Sequence, residues 1–196
     1  MFTGIIHKIG KVVDVKKNDQ LMQYALVFPY QELTIGASIS VDGVCQTVAK
    51  IQDKKIWFDA IEETIKCTTL NSLEIGQTVN IERAAKMGDE IGGHMLSGHI
   101  YGTTQLVKIE KNVYTFKLPK AWKKYLFVKG YVAINGISLT LAALYQEEFN
   151  VHLIPTTLAF TTLREKQPGD LLNIEFDFFT QTTVETVERI LAKTDP

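Results

Sequence analysis

Apolar and polar residues alternate along most of this chain in short runs, and each run is cut by Gly, Asp, Asn or Lys. Alternation of period two with such punctuation reads as β-strand. It predicts strands over residues 4–15, 23–28, 38–41, 44–51, 56–61 and 76–83 in the first half. In the second half it predicts 105–110, 113–118, 131–134, 137–144, 149–154 and 171–176. The first strand breaks at Lys16-Lys17-Asn18-Asp19, and Asp42-Gly43 and Asn135-Gly136 are hairpin-type turn pairs. Short helical stretches are expected at Pro29-Tyr30-Gln31-Glu32-Leu33, at residues 69–73, and after Pro119, where proline suits a first helical turn. From Thr183 to Leu191 the apolar spacing becomes helical, with Val184, Val187 and Ile190 or Leu191 on one face. A helix this short is marginal alone in water, so its stripe must dock on something.

The strand order is written twice. Val41-Asp42-Gly43-Val44-Cys45-Gln46-Thr47-Val48 parallels Ile134-Asn135-Gly136-Ile137-Ser138-Leu139-Thr140-Leu141. Thr64 to Leu70 parallels Thr157 to Leu163, and Gly76 to Glu82 parallels Gly169 to Glu175, all at one constant offset. Near the middle, Met95-Leu96-Ser97-Gly98-His99-Ile100 echoes the opening Met1-Phe2-Thr3-Gly4-Ile5-Ile6. This is an internal repeat. Six strands per half with few helices argue an all-β chain of two small closed barrels, because closure removes exposed edges. Gly92-Gly93 is then expected to be a linker that needs free backbone angles. The terminal helix has no counterpart in the first half.

Composition narrows the function. The chain has 196 residues, a formal net charge of −1 and 45% hydrophobic residues. There is no basic field for nucleic acid or an anionic membrane. No apolar run is long enough to cross a bilayer, and the opening residues lack the basic-then-apolar pattern of a secretion signal. Two cysteines, Cys45 and Cys67, lack metal-ligand spacing and suggest a reducing compartment, so a soluble cytoplasmic protein is expected.

Few residues carry chemistry. His94 and His99 are five apart, and on a strand would face opposite ways, so no metal site is expected. Gly92-Gly93 is not followed by the Gly-Lys-Ser/Thr of a phosphate loop. Cys45 has no base or cation beside it in sequence, which leaves a buried structural cysteine favoured over a nucleophile. Ser138 lies outside any Gly-x-Ser-x-Gly elbow. The pairs Cys45/Thr47 and Ser138/Thr140 are more informative, since residues two apart on a strand share a face. Asp177 follows the last strand of the second half where Ala84 stands in the first, and His99 likewise has only Ile5 as its echo. A duplicated binding frame with unduplicated chemistry is what two like molecules, one of them activated, would require.

Taken jointly, the opening Met1 to Ile6, Val41 to Cys45, Asp89 to His99, Asn135 to Thr140 and the Val187-Glu188-Arg189-Ile190-Leu191 tail resemble the riboflavin synthase family of the trimeric alpha-subunit type, over essentially the whole chain. The resemblance implies two tandem six-stranded Greek-key barrels, at residues 1–88 and 89–179, and a trimerisation helix at 180–196. It implies dismutation of two 6,7-dimethyl-8-ribityllumazine molecules to riboflavin and 5-amino-6-ribitylaminopyrimidinedione, without metal or redox cofactor. It implies a site between the N-terminal barrel of one subunit and the C-terminal barrel of its neighbour. Association with lumazine synthase also comes with the family. Carried over residue by residue, His99, Ser138, Thr140, Cys45 and Asp177 are the catalytic candidates. Phe2, Thr3, Gly4, Ser38, Thr47, Ala60, Ile61, Glu63 and Thr64 are binding candidates from the first half. Ser97, Gly98, Lys129, Ile154 and Thr157 are those from the second. By the same token the N-terminal half alone should bind ligand without turnover, for want of His99 and Asp177. Three positions depart from the family pattern: Asn135 stands for Asp, Thr156 for a charged residue, and Gln46 for leucine. The alternative is a lumazine- or flavin-binding antenna protein of the same fold, which resembles the chain less.

Overall fold

The computed structural model describes residues 1–18, 21–30 and 32–194. Twelve strands form two closed antiparallel barrels. The first consists of β1 (Lys8–Lys17), β2 (Leu21–Val27), β3 (Ser38–Val41), β4 (Val44–Gln52), β5 (Lys55–Ile61) and β6 (Thr78–Arg83). The second consists of β7 (Gly102–Glu110), β8 (Val113–Lys117), β9 (Tyr131–Ile134), β10 (Ile137–Leu144), β11 (Glu148–His152) and β12 (Leu171–Phe176). Both close in one order, β1-β2-β5-β4-β3-β6 and β7-β8-β11-β10-β9-β12. Even the irregularities repeat. The register shifts between Val12 and Asp14 and again between Leu106 and Lys108, then between Val48 and Lys50 and again between Leu141 and Ala143. Such bulges bend a strand, which a six-stranded sheet needs in order to close.

The inward residues of each barrel make its core: Val12, Tyr24, Ile39, Phe58 and Ile81 in the first, Leu106, Phe116, Ile134, Phe149 and Ile174 in the second. Gln46 sits on the inward side of β4 between Val44 and Val48 and is buried, where the second barrel has Leu139. Its Nε2 donates to the Cys45 carbonyl, but its Oε1 is buried without a partner. This departure from the family pattern is therefore a core change.

Some local expectations fail for short-range reasons. Asp19 and Gln31 lie outside the described residues, but Pro29, Tyr30, Glu32 and Leu33 are not helical, and Glu32 has a positive φ of 58°. Two six-residue helices, α1 (Glu62–Cys67) and α2 (Pro155–Phe160), were not expected. They bury no residue, so no apolar stripe marks them. Only acidic Glu62 and Glu63 at one start, and Pro155 at the other, signal a helix N-terminus. The predicted helix at 69–73 is a short 3₁₀ turn, Thr69–Ser72, and the one after Pro119 is a longer 3₁₀ run, Lys120–Tyr125.

The barrels meet along a seam built from repeat-related residues. Asn80 Nδ2 donates to the Asn135 carbonyl (3.1 Å), and Asn80 Oδ1 accepts from Thr162 N–H (2.8 Å). Reciprocally, Asn173 Nδ2 donates to the Asp42 carbonyl (2.8 Å), and its Oδ1 accepts from Thr69 N–H (2.8 Å). The turn residues complete the exchange: Asp42 Oδ1 accepts from Asn80 N–H and Asn135 Oδ1 from Asn173 N–H, each at 2.8 Å. Asn135 thus keeps the acceptor that an aspartate would offer, and its place is the seam.

Asp42 pays a burial penalty that Asn135 avoids. Burial raises its pKa to about 6, with the Asn80 N–H and the Lys166 charge pulling the other way. A carboxyl whose folded pKa lies above its unfolded value adds stability that is complete below about pH 4 and is lost as pH rises through 6. Asp42→Asn should therefore stabilise the protein by about 1–3 kcal/mol at pH 7. It should also flatten the stability profile between pH 4 and 6, as urea titrations across that range would show. Unchanged stability at pH 7 would refute this account.

Helix α3 spans Phe178–Thr194, beginning two residues before the predicted start. Asp177 caps it, Oδ2 accepting from the N–H and hydroxyl of Thr180 at 2.8 and 2.7 Å. Val184 packs on the second barrel's core, and Glu185 accepts from the Tyr125 hydroxyl. Beyond that turn Val187 and Ile190 of the stripe are 48% and 57% exposed. Among the described residues no helix is long and apolar enough to cross a membrane.

Candidate active site

The segment leading into each barrel is held by a glutamate of that barrel's last strand. Glu82 Oε1 on β6 accepts from the N–H and hydroxyl of Thr3 (2.6 and 2.8 Å), and its Oε2 from Gly4 N–H (3.1 Å). Glu175 on β12 does the same for Ser97 and Gly98. Burial raises the pKa of both carboxyls, and these donors offset part of the rise. The Thr3 and Ser97 hydroxyls are committed to these bonds. The signal was present in sequence, because Asn80-Ile81-Glu82 and Asn173-Ile174-Glu175 repeat.

The leaders cross. Phe2 and Leu96 pair backbone to backbone, in both directions. The Gly4 carbonyl accepts from Ser138 N–H of the second barrel, and the Gly98 carbonyl from Cys45 N–H of the first, each at 2.9 Å. Both glycines have positive φ, and a Cβ on either would lie 2.5 Å from Ser138 Cβ or 2.6 Å from Cys45 Cβ. Only glycine fits at these crossings. Gly93 is needed for close approach as well: a Cβ there would sit 2.2 Å from the Thr3 carbonyl, and its φ is ordinary. The expectation of a linker needing free backbone angles is corrected accordingly.

The crossing corrects a second expectation. His99 comes from the second half of the sequence but lines a cavity of about 270 Å³ on the first barrel, with Cys45, Glu63, Thr64, Thr68 and Gly98. His99 also lines a cavity of about 350 Å³ with Tyr101 and Glu175 of the second barrel and Gln181 of α3, so it stands between the two barrels. Ser38 and Thr47 are register partners beside this cavity on β3 and β4. Burial raises the Cys45 pKa, the N-terminal charge and a bond with Ser38 opposing it, so the thiol is protonated at neutral pH. Ala60 lies in the barrel core and Phe2 in a small cluster with Leu96 and Ala133, both buried. Ile61 is exposed at the start of α1.

On the second barrel the structure assembles a group that the sequence did not. His94 is buried, and its Nδ1 is 2.7 Å from Ser138 Oγ. The imidazole stacks on Tyr131 with ring centroids 5.1 Å apart and planes 13° from parallel. Burial lowers the His94 pKa and the Asp177 charge opposes this, so the ring is neutral at pH 7. Its Nε2 is buried without a partner. The Nδ1 partner, Ser138, is 44 residues away, so no local spacing in the sequence marks the pair. Asp177 acts on His94 and also caps α3. Thr140 is exposed on β10 opposite Tyr131 of β9. Lys129 precedes β9 with a positive φ of 71°, and Ile154 and Thr157 sit at the start of α2, with Ile154 61% exposed. Thr156, the third departure, is an exposed α2 residue matching Glu63 of α1. Among the described residues no group of three or more His, Cys, Asp or Glu could hold a metal ion.

The lumazine binding domain family matches the chain twice, over residues 3–84 and 97–177. A riboflavin synthase of Chlamydia pneumoniae is 45% identical over 198 residues, covering 98% of each chain. That of Escherichia coli (strain K12) is 40% identical over 200 residues, covering 98% of this chain and 94% of its own. Among solved structures, LumP complexed with riboflavin superposes with a TM-score of 0.81 at 26% identity, covering 90% of this chain and 99% of its own. LumP complexed with flavin mononucleotide gives 0.79 at 26%, covering 89% and 99%. With two matched repeats and near-complete relatives at this identity, the chain belongs to the riboflavin synthase family.

Proposed function

We propose that the protein converts two molecules of 6,7-dimethyl-8-ribityllumazine into riboflavin and 5-amino-6-ribitylaminopyrimidinedione. The observation that carries the reading is near-full-length identity of 40–45% to riboflavin synthases, well above the 26% to the flavin-bound LumP structures. One lumazine transfers four carbons to the other, so atoms balance with no external oxidant.

The cavity on the first barrel and the His94–Ser138 pair on the second suit the two halves of the reaction. The 7-methyl group of a lumazine is acidic because its anion spreads into the ring, so a weak base suffices. His99, or a water it orients, serves there at the first pocket's rim. The other lumazine must accept a nucleophile at its ring carbon. With Nδ1 unprotonated, His94 accepts the Ser138 proton as Oγ bonds to that carbon and an electron pair moves into the ring. The same pair returns the proton when the adduct collapses. Thr140, Lys129, Ile154 and Thr157 frame this second ligand; Glu63, Thr64, Thr47 and Ser38 frame the first. Holding two flat rings in register supplies much of the rate.

A site of this kind needs a second barrel opposite each pocket. We assign that to a homotrimer held by α3, supported by the exposure of Val187 and Ile190 and of Ile154, Phe160 and Tyr131 on the second barrel. A cytoplasmic location is supported by two unpaired cysteines.

The test is to mix purified protein with the lumazine alone and follow flavin absorbance. Riboflavin should appear with and without a chelator, in a molar ratio of one to two lumazines consumed. Ligand binding with no flavin formed would favour the antenna reading instead.

A further inference from the structure

We propose that Tyr131 is a positioning residue, whose ring covers the His94 imidazole and keeps it dry and neutral against Ser138. This rests on the reading that the His94–Ser138 pair acts in the reaction. The geometry is one-sided. Tyr131 opens β9 and is 48% exposed, whereas the histidine stacked on it is 6% exposed. The phenol ring is thus the layer between His94 and solvent on that side. The planes are 13° from parallel, which fixes the imidazole's tilt while Ser138 fixes its in-plane rotation at 2.7 Å. Ser138 is itself pinned by its N–H to the Gly4 carbonyl, so the stack is the adjustable contact.

The groups facing His94 are few. Asp177, at the β12–α3 junction, is the charge that acts on it and favours the imidazolium. β10 contributes the Ser138 hydroxyl and β9 the Tyr131 phenol. Dehydration opposes Asp177 and is the larger influence. Removing the cover lets water reach the ring while Asp177 remains. The histidine pKa then rises and a larger fraction is protonated near neutrality. The aromatic face does this and the hydroxyl does not, since no hydrogen bond joins the two rings.

The experiment compares Tyr131→Phe and Tyr131→Thr in the full-length protein; threonine suits a strand, so the barrel is kept. His94 is titrated by NMR of ¹⁵N-histidine protein, and kcat and KM are measured from pH 5 to 8. Tyr131→Phe, which keeps the aromatic face, should keep the His94 pKa of the parent. In Tyr131→Thr the His94 pKa should rise, the acid limb of kcat should move up with it, and kcat at pH 6.5 should fall about tenfold. KM should change less than kcat. An unmoved His94 pKa in Tyr131→Thr overturns the proposal, as does a Tyr131→Phe variant that behaves like Tyr131→Thr. If His94→Gln keeps full turnover, the role of the pair falls, and the NMR titration still decides whether Tyr131 covers the ring.

Discussion

Replacing Ser138 by alanine is expected to lower turnover about 10²–10⁴-fold while ligand affinity changes little. Alanine removes the Oγ that sits 2.7 Å from His94 Nδ1 and leaves the backbone N–H that ties β10 to Gly4. The crossing between barrels therefore survives, and so does the pocket wall. His94→Gln should cost a similar factor, because an amide keeps a hydrogen bond to the serine but cannot take up its proton. The double variant should be little worse than either single one, as expected for two groups acting as a unit. Steady-state kinetics together with equilibrium titration with riboflavin separate turnover from affinity. Equal losses in both would move the pair into the binding frame. In the parent, kcat should fall on acidification through a pKa below the ordinary histidine value, since burial holds His94 neutral to lower pH.

Val187→Glu combined with Ile190→Glu is expected to dissociate the proposed trimer and to abolish most turnover at low protein concentration. Both side chains are about half exposed or more on the single chain. Charges there leave each barrel's packing untouched, and the part of α3 that docks through Val184 and Glu185 is kept. In a trimer the same positions would be buried, where an aliphatic contributes about 1.5–3 kcal/mol and an unpaired carboxylate is strongly unfavourable. Ending the chain at Thr180 should act in the same direction. Sedimentation should give a smaller species that still binds riboflavin. A monomer with full activity at nanomolar concentration would show that one chain's own barrels suffice.

The sequence by itself determined the strand order, the duplication and the family. The strands and the duplication are written in local signals, period-two alternation, Asp-Gly and Asn-Gly turns and blocks repeated at one offset, while the family rests on the joint resemblance of motifs such as Asp89 to His99 and Asn135 to Thr140. The short helices α1 and α2 were not legible, because each sets a single residue, Ile65 or Leu158, against its barrel's core, which leaves no apolar period to read. The expected helical turn after Pro29 fails although Tyr30 and Leu33 pack on the first barrel's core, because Glu32 takes a positive φ that a right-handed turn excludes. The candidate residues could be picked out one by one in the sequence, but their grouping could not. Ser138, Cys45, His99 and Asp177 stood out by their differences between halves, while His94 gained its meaning only from Ser138 and Tyr131 on another barrel wall. Tertiary structure alone decided that the leaders cross, placing His99 over the first barrel's pocket and Gly4 against the second's strand. The physical reason lies in the repeat. Glu82 and Glu175 each anchor a leader at its own barrel, but the carbonyls just beyond, at Gly4 and Gly98, accept from the other barrel's β10 or β4. Two copies of one fold can exchange such contacts only when folded against each other, and no window along a single strand contains both partners.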